Sequence, residues 1–206
     1  MKLIALACVM CVGQAAAGER TFAMRSAYAP TPSDYWSEWS GHFSYVVGYK
    51  RMESKWSPAK NQTEVGLLDF DFKHSSWPVS IATEFLLSYA NDRPALAGFR
   101  GNNSGTYEFN IGPRKIFENS SPFQPFLGTG LSVIGGSTST SFWFSNVREE
   151  SDTGVGYYLE GGVYWLFGRN WDIGVRVEYS SADIKLFGTH LDAGGVHAMA
   201  MLGVHW

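Results

Sequence analysis

The sequence is poor in charge, in cysteine and in long apolar runs, and each shortage excludes a class of protein. Only 17% of the 206 residues are charged, whereas 16% are aromatic. Disordered chains have the opposite composition, so disorder is excluded. The net charge is −3 with both signs scattered along the chain, which leaves no basic cluster to neutralise the phosphates of a nucleic acid. The apolar run from Leu3 to Val12 is too short for a membrane-spanning helix, which needs about 20 apolar residues.

Residues 1–17 have the pattern of a secretory signal peptide. A positive start at Lys2 precedes the apolar run, and the small residues Ala15 to Ala17 form a cleavage site. Both cysteines of the chain, Cys8 and Cys11, lie in this segment. Residues 18–206 would therefore fold without a disulfide, held together by backbone pairing and packing or by a membrane.

Beyond residue 40 the sequence alternates, in eight segments, between apolar residues and small or polar residues. One row of each segment is aromatic or aliphatic, and the other is dominated by Gly, Ser and Ala with isolated charges. This period of two predicts β-strands. In the second segment it assigns Val65 and Leu67 to the same row as Asp69 and Asp71. The segments are His42–Lys50, Val65–Phe72, Ser80–Tyr89, Thr106–Gly112, Phe126–Val133, Val155–Trp165, Trp171–Ser180 and Val196–Trp206.

The connections between these segments alternate in length, and the alternation predicts an up-and-down barrel. The long ones follow the odd-numbered segments and are rich in Gly, Asn, Ser and Pro. They are Arg51–Gln62, Ala90–Asn103, Gly135–Asp152 and Ser181–Ala193, whereas Lys73–Pro78 and Gly168–Asn170 are tight and Pro113–Pro122 is intermediate. A chain that starts in the periplasm would place the long loops outside the cell.

Two arrangements of the rows are compatible with the alternation. In a soluble secreted barrel or sandwich the apolar row points inward, and in a membrane barrel it points outward. The small polar row suits a narrow packed lumen, which favours the membrane barrel. Aromatic residues near the segment ends also favour it, because such residues form girdles at the lipid headgroups. These aromatic residues are Tyr49, Tyr89, Trp165, Trp171, Tyr179 and Trp206.

Residues 40–206 resemble the small eight-stranded outer-membrane barrels of the OmpA and OmpW type. The residues that carry the resemblance are Phe126–Leu131 after Gln124-Pro125, Gly174–Tyr179, and the terminal Trp206. The resemblance implies an all-β, antiparallel, up-and-down transmembrane barrel of eight strands in the outer membrane of a bacterium, in contact with lipid and lipopolysaccharide. It also implies that Trp206 is the signal for the barrel insertion machinery. Residues 18–39 have no counterpart, and we expect an irregular segment in the periplasm or at the rim.

The predicted inward row carries many charges, which must pair inside a barrel this narrow. A three-residue turn at Gly168–Asn170 would place Glu160 opposite Glu178 and Arg176 on the diagonal from Glu160. We therefore predict a network of ions that plugs the lumen, and a protonatable pair or gate is the alternative. The network is predicted at Glu84, Glu108, Glu160, Arg176 and Glu178, and Lys50, Asp69, Asp71, Arg114 and His197 also face inward.

Neither a catalytic nor a metal site is predicted. A lipid A deacylase that the chain resembles in its seventh segment has a His-x-Ser arrangement there, but this chain has Glu178-Tyr179-Ser180. A carboxylate cannot activate the serine at neutral pH as an imidazole would. His42 and His205 would approach each other when the barrel closes, yet zinc normally takes a third or fourth ligand. No cofactor is expected.

The long loops carry the second candidate site. Phe142-Trp143-Phe144 is an aromatic triplet between Ser and Thr residues, and exposed apolar clusters usually contact lipid or a partner. Lipopolysaccharide, a hydrophobic solute or a host surface are the candidate ligands, and packing on a neighbouring loop is the alternative. The sequence thus predicts a non-enzymatic outer-membrane barrel with a structural or surface-interaction role. An OmpW-like channel for small hydrophobic solutes is the alternative, and a lipid A-modifying enzyme is a third hypothesis.

Overall fold

A computed structural model describes residues 38–52, 60–92, 102–142, 145–186 and 188–206. Eight of its strands form a closed antiparallel barrel in which β1 pairs with β10, and β8 and β9 form a separate hairpin. The predicted fold class is therefore confirmed. The predicted signal peptide and nearly all of residues 18–39 lie outside the described residues. The strands are β1 Trp39–Arg51, β2 Asn61–His74, β3 Ser80–Asp92, β4 Asn102–Ile116, β5 Phe123–Phe142, β6 Ser145–Phe167, β7 Trp171–Ser181, β8 Asp183–Leu186, β9 Thr189–Asp192 and β10 Gly195–His205.

The apolar row of the strands points away from the barrel axis. Val47 is 58% exposed, Leu131 62% and Val155 72%. The opposite row is buried, because alternate side chains of a strand point to opposite faces of the sheet. The barrel is thus apolar outside and encloses its charged side chains, as a membrane barrel does. Among the described residues, no helix is long and apolar enough to cross a membrane.

Strand β2 contains a β-bulge that the alternation pattern did not predict. Its register shifts between Gly66 and Leu68 against β3, and Leu67 and Leu68 are both exposed. The prediction that Val65 and Leu67 share a row with Asp69 is therefore wrong. The extra residue reverses the alternation, so Glu64 and Asp69 both point inward although five positions separate them.

The two ends of the barrel differ in their connections. At one end, called here the turn end, β2–β3, β4–β5 and β6–β7 are joined by segments 75–79, 117–122 and 168–170. The tight turn between β6 and β7 contains Gly168 with φ of 64° and pairs Phe167 with Trp171, as predicted. The opposite end is called the loop end. Exposed Trp165, Trp171 and Trp206 lie near the turn end, and exposed Tyr49, Tyr89 and Tyr179 lie near the loop end.

Two of the predicted long loops contain strands. Residues 135–142 belong to β5 and residues 145–152 to β6, and the two strands remain paired as far as Phe142 and Ser145. Residues 181–193 include the hairpin of β8 and β9. The alternation did not reveal the pairing of residues 135–142 with residues 145–152, because a hairpin outside the apolar band needs no apolar row even though its backbone continues to pair. The Ser- and Thr-rich sequence of this stretch is compatible with strand pairing without showing the alternation of a lipid-facing strand.

The hairpin of β8 and β9 packs an apolar face against the loop end of the lumen. Ile184 and Leu186 from β8 contact inward residues of the barrel strands, and we call this cluster the apolar cap. Two carboxylates hold the hairpin in place: Asp152 accepts a hydrogen bond from the backbone N–H of Lys185 at 2.6 Å, and Asp192 accepts one from the Ser181 hydroxyl at 2.8 Å. The apolar cap consists of Met52, Ile134, Ala182, Ile184, Leu186 and Ala193.

Candidate functional site

The lumen contains two layers of buried polar side chains between the turn end and the apolar cap. The layer nearer the turn end, the arginine cluster, consists of Asp69, Asp71, Glu84, Arg114, Glu160 and Arg176. The layer nearer the apolar cap, the histidine cluster, consists of Lys50, Glu64, Glu108, Ser180 and His197. Each of these side chains is at most 2% exposed. Glu178 lies between the two layers, because it pairs with Glu160 across β6–β7 and with His197 across β7–β10.

Arg114 is the centre of the arginine cluster. Its Nε and Nη2 donate to the two oxygens of Glu160 at 2.8 and 2.9 Å, a bidentate geometry that is the strongest form of such a pair. Its Nη1 donates to Asp69 at 3.0 Å, to Asp71 at 3.1 Å and to the Tyr164 hydroxyl at 2.9 Å. Arg114 was expected to face inward, but the sequence did not identify it as a member of the network.

Arg176 bridges the same carboxylates from the opposite wall. Its Nη1 donates to Glu160 and to Asp69, both at 3.2 Å, and its Nη2 forms an ion pair with Glu84. Its Nε is 3.8 Å from Glu178 Oε2. The structure therefore brings together four of the five predicted network residues, and it places the fifth, Glu108, in the histidine cluster.

The histidine cluster is a connected set of hydrogen bonds. Lys50 donates to Glu108 Oε2 at 3.1 Å. His197 Nδ1 is 2.8 Å from Glu64 Oε2 and its Nε2 is 3.0 Å from Ser180 Oγ, and Ser180 Oγ is 3.2 Å from Glu108 Oε2. The alternation pattern did not identify Glu64, because the bulge in β2 concealed the inward row of Gln62, Glu64 and Gly66.

Ser180, His197 and Glu64 have the order and spacing of a serine, histidine and acid triad. The sequence of β7 offers Glu178 as the neighbour of Ser180, whereas in the structure the nearby imidazole is that of His197 on β10. Ser180 and His197 are 0% exposed and Glu64 is 1% exposed. Ser180 Oγ is therefore enclosed by the packed interior in this conformation.

A third polar group lies at the turn end of the lumen. His42 and His205 are cross-strand partners, and their ring centroids are 5.9 Å apart. Asp172 Oδ2 lies 3.4 Å from His42 Nδ1 and 3.6 Å from His205 Nδ1. His42 also stacks on Tyr164 with centroids 4.4 Å apart. The two histidines therefore approach each other as predicted, with a carboxylate beside both.

The buried interior has more acid than base. Eight carboxyl side chains of the described residues are buried, against three side chains of Lys or Arg. The acids are Glu64, Asp69, Asp71, Glu84, Glu108, Glu160, Asp172 and Glu178, and the bases are Lys50, Arg114 and Arg176. Buried carboxylates without a counter-charge are unfavourable, so protons or cations must offset the excess.

The second predicted site lies mostly outside the described residues. Phe142 is the last residue of β5, whereas Trp143 and Phe144 are not described, and neither is the environment of the Phe142 side chain. The aromatic triplet therefore stays a prediction.

Several solved structures have the same fold as this chain. Neisserial surface protein A aligns with a TM-score of 0.53 and 14% identity, covering 82% of this chain and 96% of its own. The attachment invasion locus protein Ail of Yersinia pestis, in complex with the heparin analogue sucrose octasulfate, aligns with a TM-score of 0.53 and 15% identity over 82% and 97%. The outer membrane protein OprG of Pseudomonas aeruginosa aligns with a TM-score of 0.51 and 12% identity over 82% and 96%. No protein-family model and no curated protein sequence matches the chain.

At these identities the similarity concerns the fold. The predicted resemblance is confirmed at that level: the chain is a small eight-stranded barrel of the bacterial outer-membrane type.

Proposed function

We propose that this protein is an integral barrel of the bacterial outer membrane with a sealed lumen and a structural or surface-interaction role. The observation that carries the proposal is the inverted distribution of side chains. The outward side chains of Val47, Leu131 and Val155 are 58%, 62% and 72% exposed, whereas Arg114 and Arg176 are 1% exposed. Transfer of each such apolar side chain out of water stabilises the folded protein by roughly 1.5–3 kcal/mol. A surrounding layer of hydrocarbon keeps all of these side chains out of water at once.

The sealed lumen is supported by two barriers in series. The arginine cluster fills the cross-section with ion pairs that link β2, β3, β4, β6 and β7. The apolar cap fills the loop end with aliphatic side chains. A barrel of eight strands has room for little more than its own side chains, so these groups leave no wide aqueous path along the axis.

The surface role is supported by the shape of the loop end. Strands β5 and β6 have 20 and 23 residues, about twice the 9–11 residues that cross a bilayer. Their hairpin therefore extends well beyond the membrane. The Ail structure, with its sulfated ligand, is an example of a bound ligand on a barrel of this fold. Lipopolysaccharide or a host surface are the partners we propose for the hairpin.

The proposed role does not include enzymatic activity. Recognition of Trp206 by the insertion machinery stays a prediction. The buried position of Ser180, His197 and Glu64 supports the absence of lipid hydrolysis. Trp206 stacks on Phe70 with ring centroids 5.8 Å apart, which places an aromatic ring on the outer face at the turn end. Such a ring is compatible with recognition by the insertion machinery.

Conductance measurements separate a sealed barrel from a channel. In planar bilayers we expect the purified protein to give no stable conductance steps, because both barriers block the axis. Replacing Ile184 and Leu186 by Ser should weaken the apolar cap yet still give no steps, because the arginine cluster remains. Steady single-channel conductance from the folded, heat-modifiable unaltered protein would contradict the sealed lumen and favour the alternative, a channel for small solutes.

A further inference from the structure

Glu178 has a buried carboxylate oxygen that no donor satisfies. Its Oε1 accepts a hydrogen bond from Asn110 Nδ2 at 2.8 Å, but its Oε2 has no hydrogen-bond partner among the described residues. The residue is 1% exposed, and Arg176 Nε, at 3.8 Å, is beyond hydrogen-bond distance. Leaving such an oxygen unpaired in the interior is unfavourable, so this position calls for a positively charged or hydrogen-donating ligand.

His197 contributes an imidazole to the same group of side chains. Glu64 Oε2 accepts from His197 Nδ1 at 2.8 Å, so in the neutral imidazole Nδ1 carries the hydrogen and Nε2 carries the lone pair. Nε2 lies 3.0 Å from Ser180 Oγ and 3.7 Å from Glu108 Oε2. A carboxylate that orients an imidazole through its other nitrogen is the usual support of a histidine that binds a metal.

The donor atoms have a spacing that a metal ion can use. One ligand atom from each of Glu108, Glu178 and His197 lies within 4.8 Å of the other two. Ligands that are about 2.0–2.2 Å from a zinc ion lie roughly 3.3–3.6 Å apart in a tetrahedron. The separation of 3.7 Å between His197 Nε2 and Glu108 Oε2 is therefore almost that of a bound site. One imidazole nitrogen with two carboxylate oxygens suits divalent transition-metal ions.

The local charge also favours a divalent cation. Glu64, Glu108 and Glu178 carry three negative charges when ionised. Lys50 offsets one of them through Glu108, and Arg176, 3.8 Å from Glu178, is shared with Asp69, Glu84 and Glu160. A net negative charge therefore remains, which a divalent ion offsets. The second acidic group with suitable spacing, Glu84, Glu160 and Glu178, is less suited because Arg114 and Arg176 already bind Glu160.

From these contacts we propose that Glu108, Glu178 and His197 bind a divalent transition-metal ion inside the lumen, with Glu64 as the positioning residue. This site revises the sequence-based prediction of no metal, and it does not depend on the proposed surface role. Because the apolar cap and the arginine cluster enclose the site on both sides, the ion enters while the barrel folds.

Refolding of the protein in the presence of Co²⁺ tests the site. The urea-unfolded full chain is refolded into detergent with Co²⁺, desalted and measured for metal content and for visible absorption. We expect about one Co²⁺ per folded chain, with d–d bands that show nitrogen and oxygen ligands. Glu178→Gln and His197→Gln should each lower the bound Co²⁺ at least tenfold. Glu64→Gln should weaken affinity by about 10- to 100-fold, as losses of such supporting groups do.

Two variants distinguish a metal site from a purely structural network. His205→Gln, which changes a lumen histidine at the turn end, should keep the full Co²⁺ content. Lys50→Gln removes the competing positive charge beside Glu108 and should raise Co²⁺ affinity. Heat-modifiable migration on gels confirms folding for every variant. Folded unaltered protein with less than a tenth of an equivalent of Co²⁺, or equal content in Glu178→Gln and His205→Gln, would overturn the proposal.

Discussion

Replacing Arg114 with methionine should lower the free energy of unfolding of the barrel by about 3–5 kcal/mol, the usual effect of removing one partner from a buried ion network. The guanidinium donates to Glu160, Asp69 and Asp71. Methionine has a similar length but no charge, so these carboxylates would face each other in a medium of low dielectric constant. Urea unfolding in detergent micelles, followed by tryptophan fluorescence, measures the change.

Two controls separate the loss of charge from the loss of a side chain. Lys115 is the next residue and points outward, where its ammonium donates to the backbone oxygen of Pro78 at an exposed position. Lys115→Met should therefore lower the free energy of unfolding by less than about 1 kcal/mol. Adding Asp69→Asn and Asp71→Asn to the Arg114→Met variant should recover part of the stability, because it removes charges that the guanidinium had offset. Equal effects of Arg114→Met and Lys115→Met would show that the arginine cluster does not stabilise the lumen.

Val175→Arg should destabilise the barrel in a lipid bilayer by about 2–4 kcal/mol, the usual cost of an arginine on the lipid face near the bilayer midplane. Val175 is 58% exposed, and its cross-strand partners Val163 and Ala200 are apolar as well. In water the same substitution on an exposed strand would change stability by a few tenths of a kcal/mol. Folding titrations in phospholipid vesicles measure the difference.

The matched control places the same charge outside the apolar band. Thr189 begins β9 in the loop-end hairpin and is exposed. Thr189→Arg should change the free energy of unfolding by less than about 0.5 kcal/mol. If Val175→Arg changed the free energy of unfolding as little as Thr189→Arg, the outward row would be in contact with water, and the barrel would be a soluble one.

The strands could be predicted because their alternation is a local property. Each barrel strand overlaps a segment where apolar residues recur at every second position. The charged and titratable residues that were predicted to face inward, of which Lys50 is the first and His197 the last, are all buried. The tight turn at Gly168 also determined a register, which places Glu160 beside Glu178. These inferences need no knowledge of contacts between distant parts of the chain.

The rest depended on effects that a period of two does not contain. The bulge at Leu67 and Leu68 changes one strand's alternation by a single residue, and it hid Glu64. The contact of Arg176 with Asp69 joins residues 107 positions apart, and it depends on how the strands are staggered around the closed barrel. The imidazole beside Ser180 comes from the neighbouring strand β10, so the sequence of β7 alone could not reveal it.

The central claim is that the outward row of the strands contacts hydrocarbon, and nitroxide labels test it most directly. With Cys8 and Cys11 replaced by Ser, single cysteines at Leu131, Val177 and Thr189 can be labelled in a chain that has no other cysteine. In lipid bilayers we predict that labels at Leu131 and Val177 collide readily with dissolved oxygen and rarely with a water-soluble nickel complex, whereas the label at Thr189 shows the reverse. High nickel accessibility at Leu131 and Val177 in the folded protein would contradict the claim.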